Sequence, residues 1–231
     1  MEREDILEGL KIIRQSVIRL SISFFTLSAL SYIFWKEIFG FIQKPLGIPL
    51  VYYSIPDAFL STVKIALFAG VFFSIPLIFR ELWGSLAPYF TPHSRRYSSF
   101  VVAGASSLFY GGALICYYLL LPSGIEFLVS YQTGQIKAAI SIGSYISFFA
   151  SFIFGFGVAF ELPLVMLLLG KAGIVNAALL SRYRRYAILF IVIASAVITP
   201  TPDLFNLSLM SLPLLVLYEL SIILVRVFGK R

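Results

Sequence analysis

One apolar run with a single charge most constrains how this chain can fold. Between Tyr145 and Gly170 the only charged side chain is Glu161. A run of this length can cross a bilayer as a helix, which satisfies every backbone polar group within the hydrocarbon core. A charged residue inside such a helix is costly and usually faces a partner, a cavity or a pathway. Glu161 is therefore the first candidate functional residue.

The composition of the whole chain is typical of a membrane protein. Hydrophobic residues make up 59% and charged residues only 13% of the 231 residues, whereas soluble domains are about 25% charged. Six apolar runs predict an all-α, polytopic integral membrane protein, with one transmembrane domain over residues 1–231 and six transmembrane helices. The predicted spans cover about residues 16–35, 62–79, 98–121, 145–170, 186–198 and 204–225.

The distribution of basic residues predicts which side of the membrane each loop faces. With six spans, both termini lie on one side, and 14 of the 18 Lys and Arg residues fall on that side. The other four are Lys36, Lys44, Lys64 and Lys137. Because loops rich in Lys and Arg stay in the cytoplasm, both termini are expected to be cytoplasmic. The net charge of +7 thus reflects topology, and no basic stripe with interleaved aromatic residues suggests nucleic acid binding.

The last two spans are predicted to be short. Residues 186–198 would extend roughly 20 Å, against a hydrocarbon core of about 30 Å. Pro213 interrupts the sixth span, whose charge-free part ends at Tyr218. A locally thinned bilayer would follow from such lengths. The first external loop, residues 36–61, holds three prolines between apolar residues and is expected to fold as a cap with short helices.

The sequence contains no pattern that predicts catalysis, a metal or a cofactor. Cys116 is the only cysteine and His93 the only histidine, so neither a disulfide within the chain nor a metal-ligand cluster is expected. Phosphate-binding loops, dinucleotide fingerprints and nucleophile elbows do not occur. We therefore expect no enzyme activity, no catalytic residue, no cofactor and no metal.

Small residues suggest close helix contacts in spans three and four. They recur at four-residue intervals as Ala103, Ser107 and Gly111, and as Ser151, Gly155 and Ala159. Glu161 lies on a different face of its helix, together with Gly157 one turn earlier. The glycine would leave room for the backbone of a neighbouring helix. Alternatively, Glu161 forms a hydrogen bond inside the bundle as a structural residue.

Five segments of the chain carry a family resemblance. They are SIPDAFLSTVK at 54–64, FRELWGSLAPYFTPHSRRY at 79–97, FGFGVAFELP at 154–163, TPTPD at 199–203 and SLPLLVLYEL at 211–220. In this order they resemble the TatC subunit of the twin-arginine protein translocase. The resemblance covers almost the whole chain, which is therefore identified as a member of the TatC family.

The resemblance implies a function. TatC-like proteins form the receptor core that accepts folded proteins with twin-arginine signal peptides. With single-span TatA-like and TatB-like partners, they pass this cargo across the cytoplasmic (inner) membrane at the expense of the proton-motive force. The resemblance implies a multi-pass protein that forms a homo-oligomer within a larger complex in the lipid bilayer.

Two alternatives from other classes remain open. A small ion- or proton-coupled secondary transporter would use Glu161 and Asp203 as ion or proton sites. A purely structural or assembly factor would need no membrane potential and would tolerate the loss of Glu161.

The resemblance also implies where partners bind. Helices of the single-span partners are expected to dock along the last two spans and near the glutamate of span four. This intramembrane polar site would contain Glu161, Gly157, Thr199 and Asp203.

The cytoplasmic signal site departs from the family pattern. Ser94 stands where the family usually has an acidic residue directly before Arg95 and Arg96. Ser85 stands where the family usually has Phe. Near the N-terminus the family usually has Glu-Leu-Arg, and the corresponding residues here are Gly9, Leu10 and Lys11. The nearest acid, Glu8, precedes the expected glutamate position by one residue.

These departures leave two interpretations. Paired guanidinium groups are best held by carboxylates, whose charge serine cannot replace. Either Glu8 and Glu81 supply the acids from new positions, or the chain is a divergent paralogue with altered signal recognition. The candidate signal-binding residues are Glu8, Lys11, Glu81, Ser85, Ser94, Arg95 and Arg96.

Overall fold

A computed structural model describes residues 2–90, 98–130, 140–198 and 204–229 of the chain. The secondary structure in these ranges is helical, which confirms the all-α prediction for them. The helices are α1 (Glu2–Ile33), α2 (Trp35–Gln43), α3 (Ile55–Phe90), α4 (Ser98–Ile115), α5 (Leu121–Ser130), α6 (Ile142–Ala159), α7 (Leu162–Ala172), α8 (Ala177–Arg182), α9 (Arg184–Ile198) and α10 (Leu204–Phe228). A π-helical segment, Cys116–Leu120, joins α4 to α5.

Five helical stretches of the described residues are long and apolar enough to cross a membrane, which makes this a multi-pass membrane protein. They are Arg14–Ile33, Pro56–Ser85, Ser98–Glu126, Ile142–Ala172 and Leu207–Phe228. These stretches overlap the first four predicted spans and the sixth. The predicted fifth span lies in α9, which has 15 residues and is shorter than any of them.

The sixth predicted span is not short, and here the prediction is wrong. α10 continues for 25 residues, through Pro213 and Glu219. Proline is tolerated inside membrane helices because neighbouring groups can satisfy the freed backbone carbonyl. Glu219 lies within the helix, and its Oε2 pairs with Nη2 of Arg184 at 2.9 Å.

The helices form two compact units. The first contains Met1–Ile42 and Tyr52–Ser106, and α1 packs along α3 within it. This packing requires a glycine, because a Cβ on Gly70 would lie 2.9 Å from the Cα of Ser28. Both helices bury serines, namely Ser16, Ser28, Ser31, Ser61 and Ser74. Small residues of this kind let membrane helices approach closely.

The second unit contains Gln43–Val51 and Ser107–Arg231. Within it α10 packs against α7 and α9. The Tyr218 hydroxyl donates a hydrogen bond to the main-chain oxygen of Leu180 at 2.9 Å. This bond joins α10 to α8 and leaves the buried tyrosine with a satisfied polar group. The apolar cluster around it contains Leu180, Ile191, Leu214, Leu217, Tyr218, Ile222 and Val225.

The first predicted external loop is folded, as expected. α2 begins it, and Val51 then pairs with the segment that precedes α6. The Val51 N–H donates to the Ile140 oxygen at 3.0 Å, and the Val51 oxygen accepts from the Ile142 N–H at 2.9 Å. Leu46, between α2 and this bridge, is buried. The loop is therefore folded, and its role as a cap stays a prediction.

The close contacts of α4 and α6 lie one or two residues away from the predicted small-residue stripes. Ser107 and Ser151 are exposed, and a Cβ on Gly111 would meet no atom within 4 Å. A Cβ on Gly112, by contrast, would lie 2.7 Å from Cγ of Phe160. Small residues are needed where these helices meet, but the four-residue spacing did not identify the correct face.

Candidate functional site

The carboxylate of Glu81 is the centre of a polar cluster in the first unit. The Ser16 hydroxyl donates to Glu81 Oε2 at 2.7 Å, and Arg19 Nη2 donates to the same oxygen at 2.7 Å. Arg80 Nη2 lies 3.5 Å from the other oxygen, Oε1. α1 thus contributes a hydroxyl and a guanidinium group, and α3 contributes the acid and a second guanidinium group.

Helix spacing and burial explain this cluster. Ser16 and Arg19 are three residues apart and share one face of α1. Glu81 lies near the end of the apolar stretch Pro56–Ser85, where a poorly solvated carboxylate needs charged partners. Its side chain is 11% exposed, whereas that of Arg19 is 55% exposed. The acid is therefore held in place while the guanidinium groups reach the surface.

The described residues contain only part of the predicted signal site. Ser85 follows Glu81 by one turn and is exposed, and its hydroxyl donates to the Glu81 main-chain oxygen at 3.1 Å. Lys11 is exposed on α1. Glu8 belongs to α1, but its side chain lies outside the described part of the structure. Ser94, Arg95 and Arg96 also lie outside the described residues.

Sequence reasoning missed three members of the cluster, Ser16, Arg19 and Arg80. In the sequence, the two arginines contribute only to the number of basic residues that predicts the membrane orientation. The position of Glu81 was the available signal, because a carboxylate at the end of an apolar span needs counter-charges nearby. Arg80 is its neighbour in sequence, but Ser16 and Arg19 could be found only from the packing of α1 on α3.

Glu161 lies at a break between two helices. α6 ends at Ala159 and α7 begins at Leu162. The Glu161 N–H donates to the Val158 oxygen at 3.0 Å, a three-residue spacing that is tighter than an α-helix. Pro163 explains the break, because proline has no N–H for the carbonyl four residues earlier and its ring crowds that carbonyl. The fourth predicted span therefore consists of two helices.

The Glu161 carboxyl group is buried and incompletely paired. The residue is 8% exposed, and its Oε1 has no hydrogen-bond partner among the described residues. The main chain of Phe109 interacts with the carboxyl group. A buried polar atom without a partner costs about 1–3 kcal/mol. A donor that reached Oε1 would therefore stabilise the site.

The surroundings of Gly157 differ from the prediction that this glycine leaves room for a neighbouring helix backbone. A Cβ at this position would lie 2.7 Å from Cδ2 and Cζ of Phe109. An aromatic ring of the same chain therefore fills the space that was expected to hold the backbone of a neighbouring helix. Thr199 and Asp203, the other predicted members of the intramembrane site, lie outside the described residues.

Neither carboxylate belongs to a metal site in the described part of the chain. No group of three or more His, Cys, Asp or Glu side chains that could hold a metal ion occurs there. Cys116 is a free cysteine and is buried in the π-helical segment, which agrees with a packing role.

Comparison with known proteins finds relatives along nearly the whole chain. Residues 8–213 match the sequence model of the family described as "Sec-independent protein translocase protein (TatC)". The Sec-independent protein translocase protein TatC of Helicobacter pylori is 39% identical to this chain over 193 residues. The match covers 84% of this chain and 77% of the relative. The TatC of Desulforapulum autotrophicum is 31% identical over 236 residues, covering 100% of this chain and 87% of the relative.

Two solved structures are similar along the same length. A crystal structure of the twin arginine translocase receptor TatC superimposes with a TM-score of 0.83 and 31% sequence identity, covering 94% of this chain and 97% of that chain. A second crystal structure of the receptor, in DDM, gives a TM-score of 0.84 at 31% identity, covering 96% of this chain and 100% of that chain. The likeness thus extends over nearly the whole chain.

Proposed function

Because this chain belongs to the TatC family, we propose that it is the receptor core of a twin-arginine translocase. It is a component of protein-translocation machinery and not an enzyme. In this proposal it binds the signal peptides of folded proteins and recruits TatA-like and TatB-like single-span partners for export driven by the proton-motive force. It works as a homo-oligomer within that complex. The family assignment favours this function over a secondary transporter or an assembly factor.

The proposed topology has six spans in one domain of the cytoplasmic membrane, with both termini in the cytoplasm. The 14 basic residues on the cytoplasmic side support this orientation. α9 is the fifth span, and its 15 residues extend about 22 Å. The bilayer thins around so short a span.

Labelling of introduced cysteines tests this topology. In a Cys116→Ala background, Gln43→Cys and Gln135→Cys should react with an impermeant maleimide added to intact cells. Ser181→Cys should react only after the cells are opened. Labelling of Ser181→Cys in sealed cells would contradict the proposed orientation.

The Glu81 cluster is the observation that carries the signal-binding proposal. Its carboxylate accepts a guanidinium N–H at 2.7 Å, which is the contact that an arginine of a signal peptide requires. Glu8 on α1 is the second proposed acid. These two residues take the place of the family's usual acid, for which this chain has Ser94.

Titration of a twin-arginine signal peptide against the purified protein tests this site. A charge-assisted hydrogen bond is worth about 1.5–3 kcal/mol, so Glu81→Gln should weaken binding at least about tenfold. Glu8→Gln should also weaken it. A peptide with paired lysines controls for charge without the guanidinium geometry. If both variants bind as the parent does, or the parent does not bind the signal, the proposed site is wrong.

The partner-binding proposal rests on the unpaired oxygen of Glu161. A polar side chain of a partner's transmembrane helix donates a hydrogen bond to Oε1, or accepts one if the carboxyl group is protonated. Thr199 and Asp203 belong to the same polar site in this proposal. Gly157 supports the site indirectly, because it accommodates the ring of Phe109, whose main chain interacts with the carboxyl group.

Copurification is the most direct test of the overall function. The tagged chain, extracted from its native membrane in a mild detergent, should bring single-span TatA-like or TatB-like proteins with it. Uptake of a small solute by vesicles that contain only this chain would instead favour the transporter.

A further inference from the structure

Two arginines of this chain already face the carboxylate of Glu81. Arg19 Nη2 lies 2.7 Å from Oε2, and Arg80 Nη2 lies 3.5 Å from Oε1. Each carboxylate oxygen therefore has its own guanidinium neighbour. An arginine of a twin-arginine signal would bring a guanidinium group to the same acid. The side chains of this chain thus occupy the place that the proposed ligand needs.

We propose that Arg19 is an internal competitor of the signal peptide and must leave Glu81 before an arginine of the signal can bind. The inference rests on the proposed role of Glu81 as a signal-binding acid. Arg19 is the main competitor because its contact with the carboxylate is 2.7 Å long, against 3.5 Å for Arg80.

The charge balance around Glu81 requires this exchange. Arg19 and Arg80 place two positive charges against one negative charge. A third guanidinium group, from the signal, would meet strong repulsion at short range in this partly buried cluster. The release of Arg19 removes one positive charge and frees the hydrogen-bonding position on Oε2 in the same step.

The geometry allows Arg19 to leave while the acid stays in place. The Arg19 side chain is 55% exposed and that of Glu81 only 11%, so the guanidinium group can move off the carboxylate without unpacking the helix. Ser16 is buried and donates to the same Oε2 at 2.7 Å. It keeps this oxygen oriented after Arg19 has left, and the incoming arginine meets a preformed acceptor.

The other possible role of Arg19 is a structural tie between α1 and α3. The two roles predict opposite changes in signal affinity when the arginine is removed. Removal of a competitor tightens signal binding, because the carboxylate becomes free. Removal of a tie weakens signal binding, because the acid loses its fixed position.

The test is the titration of a fluorescent twin-arginine signal peptide against the full chain in lipid nanodiscs. We expect the dissociation constant to fall at least about threefold in Arg19→Gln, roughly 0.7 kcal/mol. Arg14→Gln is the matched control, because it removes the same charge from an exposed position on the same helix, and it should leave the affinity nearly unchanged. The gain should disappear in the double variant Arg19→Gln/Glu81→Gln, since it requires the carboxylate.

Three outcomes would contradict this inference, and they distinguish its failure from that of the proposed signal site. If Arg19→Gln binds as the parent does or more weakly, while Glu81→Gln still weakens binding, the competitor role is wrong and the site stands. An equal gain in Arg14→Gln would also overturn the inference, because the effect would then be one of general charge. If Glu81→Gln binds as tightly as the parent, both the competitor role of Arg19 and the signal-binding role of Glu81 are wrong.

Arg19→Lys keeps the test valid if Arg19→Gln does not fold, which thermal unfolding would reveal. Lysine retains the charge but lacks the planar fork of arginine. Lysine should be a weaker competitor than arginine. The signal affinity of Arg19→Lys should therefore lie between that of the parent and that of Arg19→Gln. Weaker binding by a folded Arg19→Lys variant would contradict the competitor role.

Discussion

Glu81 and Glu161 are both acids in apolar helical stretches, yet their hydrogen bonding differs. Glu81 Oε2 accepts hydrogen bonds from Ser16 and Arg19, whereas Glu161 Oε1 has no partner among the described residues. Both groups are largely shielded from solvent, since the Glu81 side chain is 11% exposed and the Glu161 residue as a whole is 8% exposed. The number of donors is what distinguishes the two carboxyl groups.

This difference indicates two uses of an acid in a membrane protein. A carboxylate with several donors can exchange one of them for a ligand of the same chemistry. A buried oxygen without a donor is stabilised by any partner that supplies one. We therefore expect Glu81 to exchange one of its hydrogen-bond donors for a donor of the ligand. Glu161 is expected to gain a donor that it lacks within the described residues.

The largest effect is expected from Glu161→Ala, which removes the unpaired oxygen. A photoreactive residue in place of the exposed Val165, one turn later on α7, should crosslink to a single-span partner. In the alanine variant this crosslink should fall at least about tenfold and export should be lost, although the protein still inserts.

Glu161→Gln is the control for this prediction. Glutamine keeps a hydrogen-bonding group of the same size, so the variant should support assembly and much of the transport. Equal crosslinking and export in parent and alanine variants would make Glu161 a structural residue inside the bundle. The contrast with Glu81 would then lose its functional meaning.

Local composition predicts the helices, but it does not predict their mutual register. Apolar runs placed the spans because burial in a bilayer depends mainly on length and charge. The break at Glu161 also had a local signal in Pro163, two residues later. The α1 partners of Glu81 had no local sequence signal. Their positions depend on how α1 packs on α3, at contacts such as that between Gly70 and Ser28. Pro213 misled the prediction for span six, since proline did not end α10.

Gly157→Ala tests whether packing within the chain fixes the surroundings of Glu161. The added Cβ would lie 2.7 Å from two atoms of the Phe109 ring, and such overpacking typically costs about 1–3 kcal/mol. Thermal unfolding in detergent should show the loss. Partner crosslinks at Val165 should fall as well, while signal affinity at Glu81 should be unchanged.

Gly111→Ala is the matched control on α4. A Cβ at Gly111 meets no atom within 4 Å, and alanine is a better helix former than glycine by about 1 kcal/mol. This variant should therefore be neutral or slightly more stable. If Gly157→Ala were as stable as Gly111→Ala, the ring of Phe109 would not be a fixed part of the Glu161 site.

Ser16→Ala tests whether the donors on Glu81 prepare it for a ligand. The buried hydroxyl orients Oε2, so its loss should weaken signal binding about threefold to tenfold, or roughly 0.7–1.4 kcal/mol. Ser28→Ala is the control, because Ser28 is buried on the same helix and its Oγ has no hydrogen-bond partner among the described residues. A similar loss of signal affinity in both variants would point to packing of α1 instead of hydrogen bonding to the acid.

The smallest effect on stability is expected at a third acid, Glu219, whose side chain is partly exposed. Its ion pair with Arg184 is 2.9 Å long, but the two side chains are 46% and 49% exposed. Exposed pairs contribute up to about 1 kcal/mol and are weakened by salt. Glu219→Gln and Arg184→Gln should each lower stability by no more than that amount, and the double variant by about the same. Thermal unfolding at low and high salt measures this. A loss as large as that of Gly157→Ala would show that short distance alone, without burial, can make an acid of this chain important for its stability.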